Sequence, residues 1–376
     1  MKAVVRDIEQ RLKLAATPAD RLAALIELAH AEASAYRNRE GLRAAREALQ
    51  IARGRGDAVA ICRALSAATL CHYQRCDYVA AVATGLDAIA AYADGDLRSR
   101  SGAEQSVALA LYCVGAHDVA QSTARRAIAD AQGGHDERCV AAARDVLGVV
   151  LAQSGQFNAA RREFRQAGAV YGRRGDDTRV KKVTASLGNT YRDQGNVAEG
   201  WGRLPQARFY WKQATRVYRI ALGLGEAEGD AIDALLLAGL GECELRLGDA
   251  PAAQISIDRA LKAADDCPTL LAPCHLWQGR ILHALGELKP AERAFERARR
   301  AAERLEHGDM LVTCLTAQSA IADQLGRFET AADLEKRAQE VAADRAALMA
   351  QVREQLAQLW DRYTGPAERD NPRAAA

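Results

Sequence analysis

Aromatic side chains are scarce in this chain, at 5 % of 376 residues. That scarcity excludes a core built on large rings and leaves small aliphatic side chains to do most of the packing. Prolines number eight and are widely spaced, so little interrupts helix. Neither sign of charge dominates: 51 Lys and Arg face 49 Asp and Glu, a formal net charge of +2, and no basic domain argues for nucleic acid. No apolar run reaches the ~18 residues of a membrane span. The opening, MKAVVRDIEQRLKL, carries charges where a signal peptide needs its apolar core, so export is not expected. The nine cysteines are odd in number and form no CxxC pair, which points to buried reduced thiols in a cytoplasmic protein.

Catalytic signatures are also missing. There is no P-loop, GxGxxG, HExxH or GxSxG. The seven histidines are dispersed, and His275 beside Cys274 has no second ligand pair at metal spacing. The paired carboxylates Asp176-Asp177 and Asp265-Asp266 fall at helix ends and read as solvated turns, with Asp177 available as a cap. The expectation is a non-enzymatic chain with no cofactor, no metal, no nucleic acid and no membrane.

What the chain does have is alanine, leucine, arginine and glutamate, the strong helix formers, in a repeating arrangement. One small residue recurs as Ala29, Thr69, Ala108, Gly148, Gly188, Gly241, Gly279 and Ser319. A second recurs as Gly41, Ala81, Ala120, Ala160, Ala207, Ala253, Ala291 and Ala331, each followed seven residues later by an alanine, from Ala48 to Ala338. Six glycines, at 115, 155, 195, 248, 286 and 326, each stand seven residues after a first anchor. There a helix C-terminus needs a residue tolerant of positive φ. Each copy predicts a helix–turn–helix hairpin. Small anchors let helices approach closely, while Phe164, Trp211, Ile257 and Phe295 fill the gaps. One hairpin cannot bury its apolar faces, and a stack of eight can.

The pattern Leu147-Gly148, Gly155, Ala160, Phe164, Ala167, and its copy Leu187-Gly188, Tyr191, Gly195, Ala207, Trp211, Ala214, resembles the tetratricopeptide repeat. The resemblance covers residues 18–345, after a lead-in helix over 1–17. It departs from the family in a spacing near 40 rather than 34, in the absence of the anchor glycine from the first three copies, and in Cys76 at the second turn. The resemblance implies an all-α, right-handed α-solenoid whose concave wall is made by the first helix of each hairpin. The Gly-Asp pairs at 56–57, 95–96 and 175–176, with the long helix leaving the last repeat, are more weakly similar to the sensory arrays of bacterial tetratricopeptide–GGDEF proteins. No GGDEF-like segment follows that helix in this sequence.

Repeat five, within 180–230, is irregular. Seven extra residues in Val197–Pro205 are expected as an insertion between its helices, and about six more near Leu222–Gly229 follow it. The first insertion carries Trp201, with Phe209, Tyr210 and Trp211 close behind. It reads either as loop drift or as a protrusion that makes contacts. Residues 346–364 continue the last helix with an apolar stripe of Leu348, Val352, Leu356, Leu359 and Trp360. That stripe suits a cap over repeat eight or a coiled coil with a second chain, hence a homodimer. Residues 365–376 are expected as a disordered tail.

Transferring the family's groove positions gives Glu27, His30, Arg63, Tyr73, Gln105 and Tyr112 in the first half of the wall. Asp145, Lys182, Ser186, Asn189 and Arg192 follow in the middle, then Glu242, Leu245, Trp277, Arg280 and His283, with Arg246 close by. Such a wall is polar and aromatic, suited to an extended peptide, a protein segment or a small anionic signal. Asn189 can donate and accept toward a peptide backbone. Lys182, Arg192, Arg246 and Arg280 favour a carboxylate or phosphate. Glu242 and Asp193 stand near enough in sequence pattern to neutralise some of that charge. A chaperone-type carboxylate clamp is rejected, because Ala185 occupies the lysine position. The reading is a binding or regulatory module, with a dimeric adaptor as the alternative.

Overall fold

The computed structural model describes residues 2–34, 37–75, 77–91, 97–224, 231–264, 268–304 and 308–369, without the side chains of 2–3, 34, 231, 268–269 and 360–369. Seventeen helices and no strand occur among the described residues. The chain divides into two compact units, residues 1–154 with 350–376, and residues 155–349.

The first unit begins with α1 (Lys2–Leu14), which buries Val5 and Ile8. Helices α2 (Pro18–Ser34), α3 (Asn38–Arg55), α4 (Ala58–Gln74), α5 (Tyr78–Ala90), α6 (Leu97–Cys113), α7 (His117–Gly133) and α8 (Glu137–Gln153) follow. The second unit contains α9 (Phe157–Arg173), α10 (Asp177–Gly200), α11 (Leu204–Leu222), α12 (Ala231–Leu247), α13 (Ala250–Ala263), α14 (Pro268–Ala284), α15 (Leu288–Arg304), α16 (Gly308–Gln324) and the start of α17 (Phe328–Arg369). After α1, the helices therefore run as eight consecutive pairs.

The small anchors do what their size predicts. Ala48, Ala88, Ala127, Ala167, Ala214, Ala260 and Ala298 are all fully buried, as are Ala81, Ala120, Ala160, Ala207, Ala253 and Ala291. Phe164, Trp211, Ile257 and Phe295 are buried among them. In α14 a Cβ added to Gly279 would lie 2.5 Å from the Phe295 ring, so the ring packs directly on backbone. The turns are closed by aspartates: Asp57, Asp77, Asp136, Asp176 and Asp249 each accept a backbone N–H at the start of the next helix. The cap expected of Asp177 belongs to Asp176, one residue earlier. Of the seven described cysteines five, Cys62, Cys71, Cys243, Cys274 and Cys314, are buried. Cys76, Cys267, His307, Gly95-Asp96, Asp265-Asp266 and most of the second insertion of repeat five lie outside the described residues.

Repeat five corrects the sequence reading. Gly195 is not a turn residue but sits inside α10, buried, and the positive φ of 71° belongs to Gly202. The seven added residues extend α10 rather than looping out of the hairpin. Seven residues are about two helical turns, so the same faces continue. The pairing of the two helices slides by that amount: Trp211 packs on Gly195, where a Cβ would meet its ring nitrogen at 2.5 Å. Gly188, two turns back, faces Tyr218 at 2.6 Å.

The last helix runs five residues past Thr364, the end expected of it, to Arg369, so the start of the expected tail is helical. Residues 370–376 and the Trp360 side chain lie outside the described residues. From Ala350 the helix belongs to the first unit, where Arg353 Nε donates to the Val114 carbonyl at 3.0 Å and Leu356 is 4 % exposed. Leu348, in contrast, is 53 % exposed. The stripe was expected to cap repeat eight or to meet a second chain; beyond Ala350 the helix is tied through Arg353, beside the stripe, to the residue that follows α6.

Candidate functional site

The first helices of three successive repeats, α10, α12 and α14, carry most of the expected wall, all within the second unit. Because α10 is two turns longer than expected, the wall positions of repeat five move by seven residues. Asn189 and Arg192 stay on the face, and Asp193, Asn196 and Glu199 join it.

The doubled pair Gly188-Asn189 and Gly195-Asn196 explains this stretch. Each glycine admits an aromatic ring, and each asparagine beside it accepts that ring's hydrogen bond. Tyr218 Oη donates to Asn189 Oδ1 at 2.7 Å, and Trp211 Nε1 donates to Asn196 Oδ1 at 2.9 Å. A buried Tyr or Trp needs such a partner. Asn196 Nδ2 then donates to Glu242 at 3.0 Å, so that amide is engaged on both sides. Asn189 keeps an Nδ2 without an acceptor among the described residues.

Charge on the wall is largely paired internally. Arg192 donates to Asp193 at 2.8 Å and lies 3.5 Å from Glu242, which is 5 % exposed. Burial alone would lower the Arg192 pKa; Tyr218, Asp193 and Glu242 outweigh it and raise it, so the guanidinium is held charged. Burial pushes the Tyr218 phenol well above its usual value, leaving it neutral and a donor. Arg246 pairs with Glu199 and stands over the Trp211 ring at 5.8 Å. The neutralisation expected from Asp193 and Glu242 is thus present, with Glu199 as a further carboxylate that the expected turn at Gly195 had hidden.

Arg280 is different. It stacks on Trp277 at 4.5 Å and has no ion-pair partner among the described residues. Burial lowers its pKa, and Glu242 partly opposes that while Arg246 adds to it. A half-buried guanidinium over an indole, with the Glu242 carboxylate near but not bound, is a ready receptor for an anion. On the same helix His283 Nε2 lies 2.9 Å from Gln324 Oε1 of α16.

The remaining candidates lie elsewhere. Tyr73 on α4, with its ring 6.5 Å from Tyr78, Tyr112 on α6, 6.0 Å from His117, and Asp145 on α8 are half-buried residues of the first unit. Lys182 is exposed on α10, whereas its neighbour Lys181 is buried against Asp233 at 2.6 Å. Trp201 caps α10, is 69 % exposed, and carries the Arg203 guanidinium 5.1 Å over its ring. Among the described residues no group of three His, Cys, Asp or Glu could hold a metal ion, and no helix is long and apolar enough to cross a membrane.

The fold has counterparts among solved structures. The apo form of the quorum sensor NprR from B. thuringiensis superimposes with a TM-score of 0.56 and 13 % identity, over 91 % of this chain and 93 % of its own. The Rap conjugation gene regulator of plasmid pLS20, in complex with the Phr* peptide, gives 0.58 and 14 %, over 89 % of this chain and 98 % of its own. A Rap protein complexed with competence and sporulation factor gives 0.50 and 13 %, over 89 % and 99 %. No family model matches the chain, and no curated protein matches its sequence. At these identities the likeness is one of fold alone, an all-α helical repeat solenoid.

Proposed function

We propose that the chain is a non-enzymatic binding module that takes an extended peptide, or an extended segment of a partner protein, along the wall of α10, α12 and α14. The observation that carries this reading is Arg280, stacked on Trp277 and without an ion-pair partner among the described residues, whereas Arg192 and Arg246 beside it on the wall are paired. Packed helices lie 8–10 Å apart, so three first helices span roughly 20 Å, the length of about six extended residues. The Asn189 Nδ2 donor suits a backbone carbonyl, and Arg280 suits a carboxylate on the bound segment. The Phr* peptide bound by the similarly folded Rap conjugation gene regulator supports the same class of ligand. The likeness to sensory repeat arrays supports a regulatory role, and an odd number of cysteines with no CxxC pair supports a cytoplasmic setting.

The test is selection from a random peptide library against the full chain, followed by titration of the selected peptides into Arg280→Gln. Peptides bearing a carboxylate should be enriched and should bind the variant at least ~10-fold more weakly, the loss of one charge-assisted hydrogen bond. Selected peptides that bind wild type and variant equally would show that the wall is not the site.

A further inference from the structure

We propose a second site in this protein, a groove on the second helix of repeat five that binds a small organic diphosphate or triphosphate. It lies between α11 and the C-terminal end of α12 with the turn that follows, is lined by none of the wall residues Asn189, Arg192, Glu242, Arg246, Trp277 or Arg280, and has a volume of about 710 Å³. That volume falls within the range of small-molecule sites.

The argument begins with helix spacing. Positions 208, 212, 215 and 219 of α11 fall on one stripe of a 3.6-residue helix, with 216 on its flank. They are Arg208, Lys212, Thr215, Arg219 and Arg216, and all five line the groove. Arg219 is paired with Glu244 at 3.0 Å, and Glu244 also accepts from Ser256 Oγ at 2.6 Å. Lys212 and Arg216 are exposed and have no carboxylate partner among the described residues. Like charges four residues apart on a helix repel, which disfavours this stripe unless an anion lies across it.

Thr215 is the independent observation. Its side chain is 8 % exposed, yet Oγ1 has no hydrogen-bond partner among the described residues. Leaving a buried hydroxyl unpartnered costs stability, and Thr215 lines the same groove as Arg208, Lys212, Arg216 and Arg219. Several donors of this kind match a tetrahedral dianion with three or more acceptor oxygens better than a two-oxygen carboxylate. Lys212 and Arg216 stand about 6 Å apart along the helix, so two linked phosphates can engage both. Ile220 and Leu247 provide an apolar flank for the organic part. Glu244 and Asp249 close the groove with negative charge, which disfavours a continuous nucleic-acid backbone.

The test is isothermal titration of the full chain with sodium pyrophosphate and with ADP at low ionic strength. Saturable one-to-one binding is expected, tighter for ADP because of the apolar flank. Lys212→Gln and Arg216→Gln should each weaken it at least ~10-fold. Thr215→Val should weaken binding several-fold while its melting temperature stays equal or rises, since the lost hydroxyl had no partner. Absence of saturable binding overturns the proposal. So does a Thr215→Val protein that melts lower and binds as wild type, or binding of hexaglutamate or oligothymidylate in preference to both phosphates.

Discussion

Replacing Gly188 by alanine sets two effects of similar size against each other, and the geometry decides between them. In an ordinary helix interior Gly→Ala gains about 1 kcal/mol from propensity. At Gly188 the new Cβ would lie 2.6 Å from Cε1 and 2.7 Å from Cδ1 of Tyr218, roughly 1 Å inside the normal carbon–carbon separation. The ring has nowhere to go. Tyr218 is fully buried, its hydroxyl is held by Asn189 at 2.7 Å, and a Cβ at Gly239 would meet its Cζ at the same 2.7 Å. Overpacking of this kind costs about 1–3 kcal/mol, so Gly188→Ala should lose on the order of 1 kcal/mol net. The matched control is Gly168→Ala in α9, whose added Cβ would meet Val183 at an ordinary 3.8 Å; it should gain about 0.5–1 kcal/mol. Urea unfolding followed by circular dichroism, compared at the midpoint with unchanged slope, reads both. If Gly188→Ala stabilised the protein as much as Gly168→Ala, Tyr218 would not pack on that backbone, and the slid register of α10 against α11 would be wrong.

Other outcomes follow from the same contacts. Trp211→Ala should cost about 3–5 kcal/mol and Trp201→Ala less than about 0.5 kcal/mol, because one ring is 2 % exposed and the other 69 %; urea midpoints decide. Leu356→Ala should destabilise by about 2–5 kcal/mol with no change of mass in light scattering, since that side chain is buried in the first unit; a dimer falling to monomer would restore the coiled-coil reading. Glu104 is fully buried beside Arg126 at 2.6 Å and Arg100 at 3.6 Å, and burial, opposed by Arg126, pushes its pKa up to about 7. Its folded pKa lies above its unfolded one, so between pH ~4.5 and 7 the folded state holds the extra proton, and stability falls as pH rises through that window. Melting temperatures of Glu104→Gln against pH should show that slope reduced, and a slope identical to wild type would refute the assignment.

The architecture could be read from small residues because helix packing is a local, periodic demand. An alanine seven residues after another marks a helix face wherever it occurs, and every such pair from Ala81–Ala88 to Ala291–Ala298 is fully buried. Repeat five was misread for a related reason. An insertion is usually taken to loop out, but one of seven residues preserves helical phase and lengthens the helix instead. The signal was present in the recurrence of Gly-Asn at 188 and 195. The wall's pairings were less accessible. Asn196 with Glu242 and Arg246 with Glu199 join residues more than 40 positions apart, and only the packed repeats bring them together. The same holds for Lys181, which is buried against Asp233 52 positions away. Arg280 was named from its position, but that it alone of Arg192, Arg246 and Arg280 is without an ion-pair partner among the described residues required the structure.

Amide hydrogen exchange with and without a selected peptide tests the central claim most directly. Protection confined to the first helices, around Asn189–Glu199, Glu242–Arg246 and Trp277–His283, is the predicted result. Protection that instead maps to α11 and α13, or no protection in the second unit at all, would contradict a peptide-binding wall built on α10, α12 and α14.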